Sequence, residues 1–239
     1  MKQQYAALLT VFALCRITFA QESPTPSATE TASSSRSPSP TASTSASAST
    51  PARNVPLRFV PPPLEGTISL GIWDSNDKLV RVLHREAKID SFTVEENSLS
   101  TSWDGKNDAG EDLSAGKYRA RGYLVGKLKV EDLGKIEASP EEASDHTAVK
   151  LVTNPLTSDT RAVMEVGVGF DGKGSFLKTT DGLPLATISE AANLSRITIQ
   201  KNGEKAADVW QEDTSGIEHV RVSNIDKVMA FDCGFFDLK

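Results

Sequence analysis

From residue 67 onward, apolar and polar side chains alternate in short runs, the period of a strand with one buried face. Thr67–Trp73 places Ile68, Leu70 and Ile72 on one side. Asp74-Ser75-Asn76-Asp77 follows with turn chemistry, because short polar side chains bond their own backbone. Residues 79–83 then supply the second arm of a hairpin. Extended runs recur at 91–94, Ser98–Trp103 and 117–125. In the last of these Tyr118, Ala120 and Leu124 face one way, and Lys117, Arg119 and Arg121 the other. Beyond 150 the runs 162–168, 175–178, 184–188, 195–200, 207–210, 219–222 and 227–231 are separated by Gly, Asn and Asp clusters. Asn202-Gly203 is a hairpin signal, and only 189–193 admits a short helical turn. The pattern predicts an all-β chain: a small β-sandwich, then a second small antiparallel β domain over 151–239. That second segment is too short for a closed propeller, which needs about four or more blades.

Three stretches depart from the alternation. Residues 1–20, MKQQYAALLTVFALCRITFA, carry Lys2, an eleven-residue largely apolar run from Tyr5 to Cys15, and Thr18-Phe19-Ala20 before Gln21. They read as a secretory signal peptide, the apolar run being too short for a transmembrane helix. Lipidation at Cys15 is disfavoured by Leu14 before it and Arg16 after it. Residues 21–60 read as a disordered Ser/Thr/Pro/Ala-rich stalk: 28 of the 33 residues from 21 to 53 are of those four types, with no large apolar side chain among them. Residues 127–150 are charged and without period, and read as a linker. The expected order is therefore leader, stalk, sandwich over 61–126, linker, and second β domain.

Net charge is −6, which disfavours nucleic acid and anionic membrane surfaces as partners. No segment after the leader is long and apolar enough to span a membrane. Removal of the leader leaves Cys233 alone, so no internal disulfide is expected. Its setting, MAFDCGFFD, predicts a half-buried thiol in a strand.

The densest stretch is SWDGKNDAGEDLSAGKY, 102–118. Together with GTISLGIWDSNDKLVRVL upstream, it resembles the immunoglobulin-like module of the flagellar hook-capping protein family, a module also found in other secreted bacterial proteins. The resemblance covers about Glu65 to Gly126 and rests most on Trp103, Asp104, Gly105, Gly110, Gly116 and Tyr118. It implies an immunoglobulin-like β-sandwich. It does not carry flagellar function, because the rest of that family's protein is absent. On this reading Gly105, Gly110 and Gly116 supply backbone that bulky residues resist, and Trp103 and Tyr118 anchor a core. A calcium loop fails on spacing, since Lys106 stands two after Asp104 and no Glu closes the loop at the twelfth position. Asp104, Asn107 and Asp108 remain an alternative, irregular ion site.

Catalytic chemistry is not legible. His84, His146 and His219 have no metal-ligand spacing, and no nucleophile elbow, phosphate loop or zinc-protease pair occurs. Adjacent pairs such as Glu95-Glu96 and Glu141-Glu142 point to opposite faces of an extended chain. No catalytic residue, cofactor or metal is expected. The expectation is an exported, non-catalytic module of the cell envelope or extracellular space that engages a protein or glycan. A carbohydrate-binding module, with Trp73, Tyr123 and Trp210 as stacking candidates, is the alternative. A hydrolase whose carboxylates meet only in the fold is the third reading.

Overall fold

The alternating runs are strands. The structure, a computed structural model, describes residues 53–156 and 163–239, so the expected leader and most of the stalk lie outside the described residues. The first strands are β1 (Val55–Phe59), β2 (Thr67–Trp73), β3 (Leu79–Ala87), β4 (Thr93–Glu95), β5 (Ser98–Trp103), β6 (Gly116–Val125) and β7 (Lys129–Ile136). They are followed by β8 (His146–Lys150), β9 (Val163–Asp171), β10 (Gly174–Thr179), β11 (Pro184–Ser189), β12 (Arg196–Asn202), β13 (Ala206–Asp213), β14 (Gly216–Ser223) and β15 (Val228–Leu238). All pairings are antiparallel, and no α-helix occurs among the described residues.

Two sheets, β1-β5-β4 and β15-β6-β2-β3, enclose the first core. Leu57, Phe59, Ile68, Leu70, Ile72, Trp103, Tyr118 and Leu124 fill it, as an immunoglobulin-like sandwich requires. Strand β2 lies beside β6 rather than β5, which distinguishes the order from a constant-type domain. Gly122 on β6 makes room for an aromatic: a Cβ there would lie 2.2 Å from the ring of Phe231, which stacks on Phe59 at 4.6 Å.

Several expectations change here. Val55–Phe59, inside the stretch read as stalk, is a strand with Leu57 and Phe59 buried. The C-terminal run, placed by sequence in the second domain, is β15; it pairs with β6 along its whole length and gives Phe231 and Leu238 to the first core. The stretch 127–150, read as linker, holds β7 and β8. Strand β7 escapes a periodicity reading because it is an exposed edge, rich in charge and bulged at Gly134 (φ +89°). Residues 190–193 form no helical turn after β11 ends at Ser189.

The second core lies between β11-β10-β9-β8 and β12-β13-β14-β7. These sheets are stitched by a bridge between Ser144 and Ile199. The outer face of β15-β6-β2-β3 contributes Trp73, Tyr123, Val125, Val228 and Ala230 to the same core. The middle sheet is thus buried on both faces, and β2 reads TISLGIW, almost continuously apolar, for that reason. The described residues accordingly belong to one compact unit. The connection 137–145 that follows β7 meets β12, where Glu142 accepts a hydrogen bond from Gln200 (3.4 Å) and Ser144 bridges to Ile199.

Candidate functional site

The 102–118 stretch connects β5 to β6 and is held by its own side chains. Trp103 is fully buried, packs edge-on against Tyr118 (5.3 Å) and Phe236 (5.7 Å), and its indole N–H donates to the Lys106 carbonyl (2.8 Å). The Tyr118 hydroxyl donates back to the Ser114 carbonyl (2.9 Å), a device that fixes strand entry in immunoglobulin sandwiches. Gly105 (φ +77°) and Gly110 (φ +81°) occupy left-handed backbone. Gly116 does not; it opens β6 opposite Leu238, so its expected conformational role is corrected.

The polar side chains of the stretch face different donors. Asp104 accepts the Lys106 N–H (3.1 Å), and Asn107 accepts those of Ala109 (3.0 Å) and Glu111 (2.9 Å). Asp108 reaches across to the Val82 N–H of β3 (3.0 Å), while Arg81 of that strand donates to the Asn107 carbonyl (2.7 Å). The loop is a folded turn pinned to a neighbouring strand. Its oxygens do not converge on one centre, and no cluster of three or more potential metal ligands occurs among the described residues.

The three histidines lie on three different sheets. His84 contacts the Thr101 hydroxyl (2.9 Å), and burial lowers its pKa. His146 is exposed; its hydrogen bond with Asp145, reinforced by that carboxylate's charge, raises its pKa. His219 stacks on Trp210 at 5.1 Å, with its Nε2 3.7 Å from Asp208. Glu95 pairs with Arg58 (2.6 Å), and Cys233 sits in β15 with its thiol pushed by burial up to about 12.

Trp73, Tyr123 and Trp210, the candidate sugar platforms, are 1%, 6% and 5% exposed. Trp73 instead donates to Asp181 (2.6 Å) and carries the Arg121 guanidinium over its ring at 4.3 Å. Arg121 lies 3.5 Å from Asp181 and from Asp77, and the Thr179 hydroxyl donates to Asp181. This lock between the two cores was not read from sequence, although Asp181-Gly182 marks a turn between two strands.

No protein-family model, curated protein or solved structure matches the chain.

Besides a cavity of about 560 Å³ lined by Arg85, Lys173, Gly174, Thr187 and Glu190, and one of about 300 Å³ lined by Arg53, Arg81 and Asp104 among others, two more could hold a ligand. One, of about 370 Å³, opens between the β7 and β11 edges and is lined by Glu65, Thr67, Glu86, Val125, Leu128 and Thr187 among others. The other, of about 260 Å³, lies among the loops at one end of the second core and is lined by Lys150, Lys201 and Lys205 with Glu204 and Asp226. Sequence reasoning passed over these lysines because they come from distant segments.

Proposed function

We propose that the chain is an exported, non-catalytic β protein that acts as an interaction or structural module of the cell envelope or extracellular space. The observation that carries this reading is the shared middle sheet, whose two faces belong to two cores and make a stiff, two-lobed body. A rigid body behind a Ser/Thr/Pro/Ala-rich segment suits a protein presented at a distance from its attachment point. We assign the first sandwich to the immunoglobulin-like module of the hook-capping type on the strength of the Trp103–Tyr118 connection, which crosses from one sheet to the other, and its glycines Gly105 and Gly110. The carboxylates of 102–118 support the non-catalytic reading, because each serves the turn: Asp104 and Asp108 accept backbone N–H groups, Glu111 accepts the Asn107 side-chain amide, and Asp112 lies 3.8 Å from the Lys106 ammonium.

The test is sedimentation of the chain from Gln21 onward with bacterial cell-wall preparations, beside assays for ester, peptide and glycoside hydrolysis. Saturable attachment without turnover is expected. Reproducible hydrolysis, or no attachment to any envelope fraction, would overturn the proposal.

A further inference from the structure

We propose that the free edge of β7 pairs with the same edge of a second copy of this chain, antiparallel and centred on Val130. Strand β7 is the outermost strand of β12-β13-β14-β7, so one row of its main-chain groups has no ladder partner. The opposite edge of that sheet is met by the chain itself. There Ser144 N–H donates to the Ile199 carbonyl (3.0 Å), and Ile199 N–H donates back to Ser144 (2.7 Å). No such segment lies on β7. Among the described residues, no main-chain group of 128–136 bonds to another main-chain group outside the ladder with β14. Lys129, Val130, Glu131, Asp132 and Leu133 are exposed in succession, so the edge is open to a partner strand.

The order of charges along the edge selects the partner. Lys129 and Glu131 share one face, with Nζ and Oε2 3.2 Å apart. Val130 points to the other, opposite Val222, where it is 40% exposed and lines the 370 Å³ cavity. A two-fold axis through Val130, perpendicular to the sheet, sets Lys129 of each copy opposite Glu131 of the other. Val130 then meets Val130 and leaves water. Opposite charges directly across a ladder stabilise pairing, and like charges oppose it. The two neighbouring registers that keep the faces matched set Glu131 against Glu131 or Lys129 against Lys129. The charges therefore favour one register. The chain as a whole carries −6, which repels a second copy, but within β7 Lys129 and Lys135 balance Glu131 and Asp132. The regular ladder with β14 runs from Lys129 to Asp132, and Gly134 (φ +89°) lies in the bulge beyond it. Its N–H is taken by the Asp132 carboxylate (2.8 Å), so the far half of the edge is blunted and the near half is left to pair.

The inference goes beyond the envelope reading and does not depend on it. It is tested by analytical ultracentrifugation of the chain from Gln21 onward, between about 1 µM and about 1 mM. A monomer–dimer equilibrium is expected, and it should weaken as salt rises. Lys129→Glu alone, or Glu131→Lys alone, should weaken self-association by about tenfold or more, since each sets like charges across both halves of the two-fold. The two single variants mixed together should form a heterodimer, because opposite charges then meet at both places. That mixture excludes misfolding as the cause of the single losses. The double variant, Lys129→Glu with Glu131→Lys, should dimerise as the parent does. Lys173→Gln, on the β9–β10 turn, should leave the equilibrium as it was. A chain that stays monomeric throughout, a dimer that survives both single reversals, or mixed variants that fail to associate would overturn the proposal.

Discussion

The indole nitrogen of Trp73 on β2 donates to the carboxylate of Asp181 at 2.6 Å and so ties the first sandwich to the β10–β11 turn of the second core. Asp181→Ala leaves a buried indole N–H without its acceptor and takes one of two carboxylates from Arg121. The expected cost is about 1–3 kcal/mol, measured as a shift in denaturant midpoint. A double-mutant cycle with Trp73→Phe should return a coupling of about 0.5 kcal/mol or more. Additive effects would mean that the bond does not join the lobes.

The 102–118 turn separates core, backbone and surface roles. Trp103→Ala should cost about 3–5 kcal/mol through lost aromatic packing. Gly105→Val should cost about 1–3 kcal/mol, because φ is +77° and a Cβ would lie 2.9 Å from Arg53. Gly116→Val should stay within about 0.5 kcal/mol, since φ there is ordinary and the nearest atom to a new Cβ is 3.9 Å away. Asp108→Asn keeps an oxygen for the Val82 N–H and should be near neutral, whereas Asp108→Ala should cost about 1 kcal/mol. Urea midpoints of the five variants check the set. Equal losses at Gly105 and Gly116 would contradict the assignment.

Most strands were legible because one face of each is buried and the side chains alternate accordingly. β1 was missed although Val55, Leu57 and Phe59 alternate, because Pro56 and the Pro-rich run after Phe59 point to a tether. β7 was missed because both of its faces are largely exposed, so no apolar period marks it. The partner of β15 was illegible for a different reason: pairing with β6 is set by tertiary packing, and nothing local in VMAFDCGFFDL names the strand it will join. The candidate cavity follows the same rule, since Lys150, Lys201 and Asp226 meet only through the fold.

The histidines should titrate in opposite directions from the ordinary value of 6.5. Burial disfavours charged His84, so its stabilising contribution is present above the unfolded value and is lost as pH falls through the lower folded value. For His146 the Asp145 hydrogen bond favours the charged form, so its contribution is present below the unfolded value and is lost as pH rises through the higher folded one. Proton NMR of the imidazole rings should place His84 below His146. The reverse order would refute both environments.

Cys233 should be slow to alkylate at neutral pH in the native chain and fast in denaturant. Its half-buried thiol is pushed by desolvation up to about 12, against an ordinary value of 9.0, so little thiolate forms. Rapid native labelling by iodoacetamide would show that β15 opens readily from β6.

The sharing of the middle sheet is tested most directly by differential scanning calorimetry of the chain from Gln21 onward. With one sheet buried between two cores, unfolding either lobe exposes a face of the other. The expected result is a single transition whose calorimetric and van't Hoff enthalpies agree. Two separable transitions, or a calorimetric enthalpy well above the van't Hoff value, would contradict it.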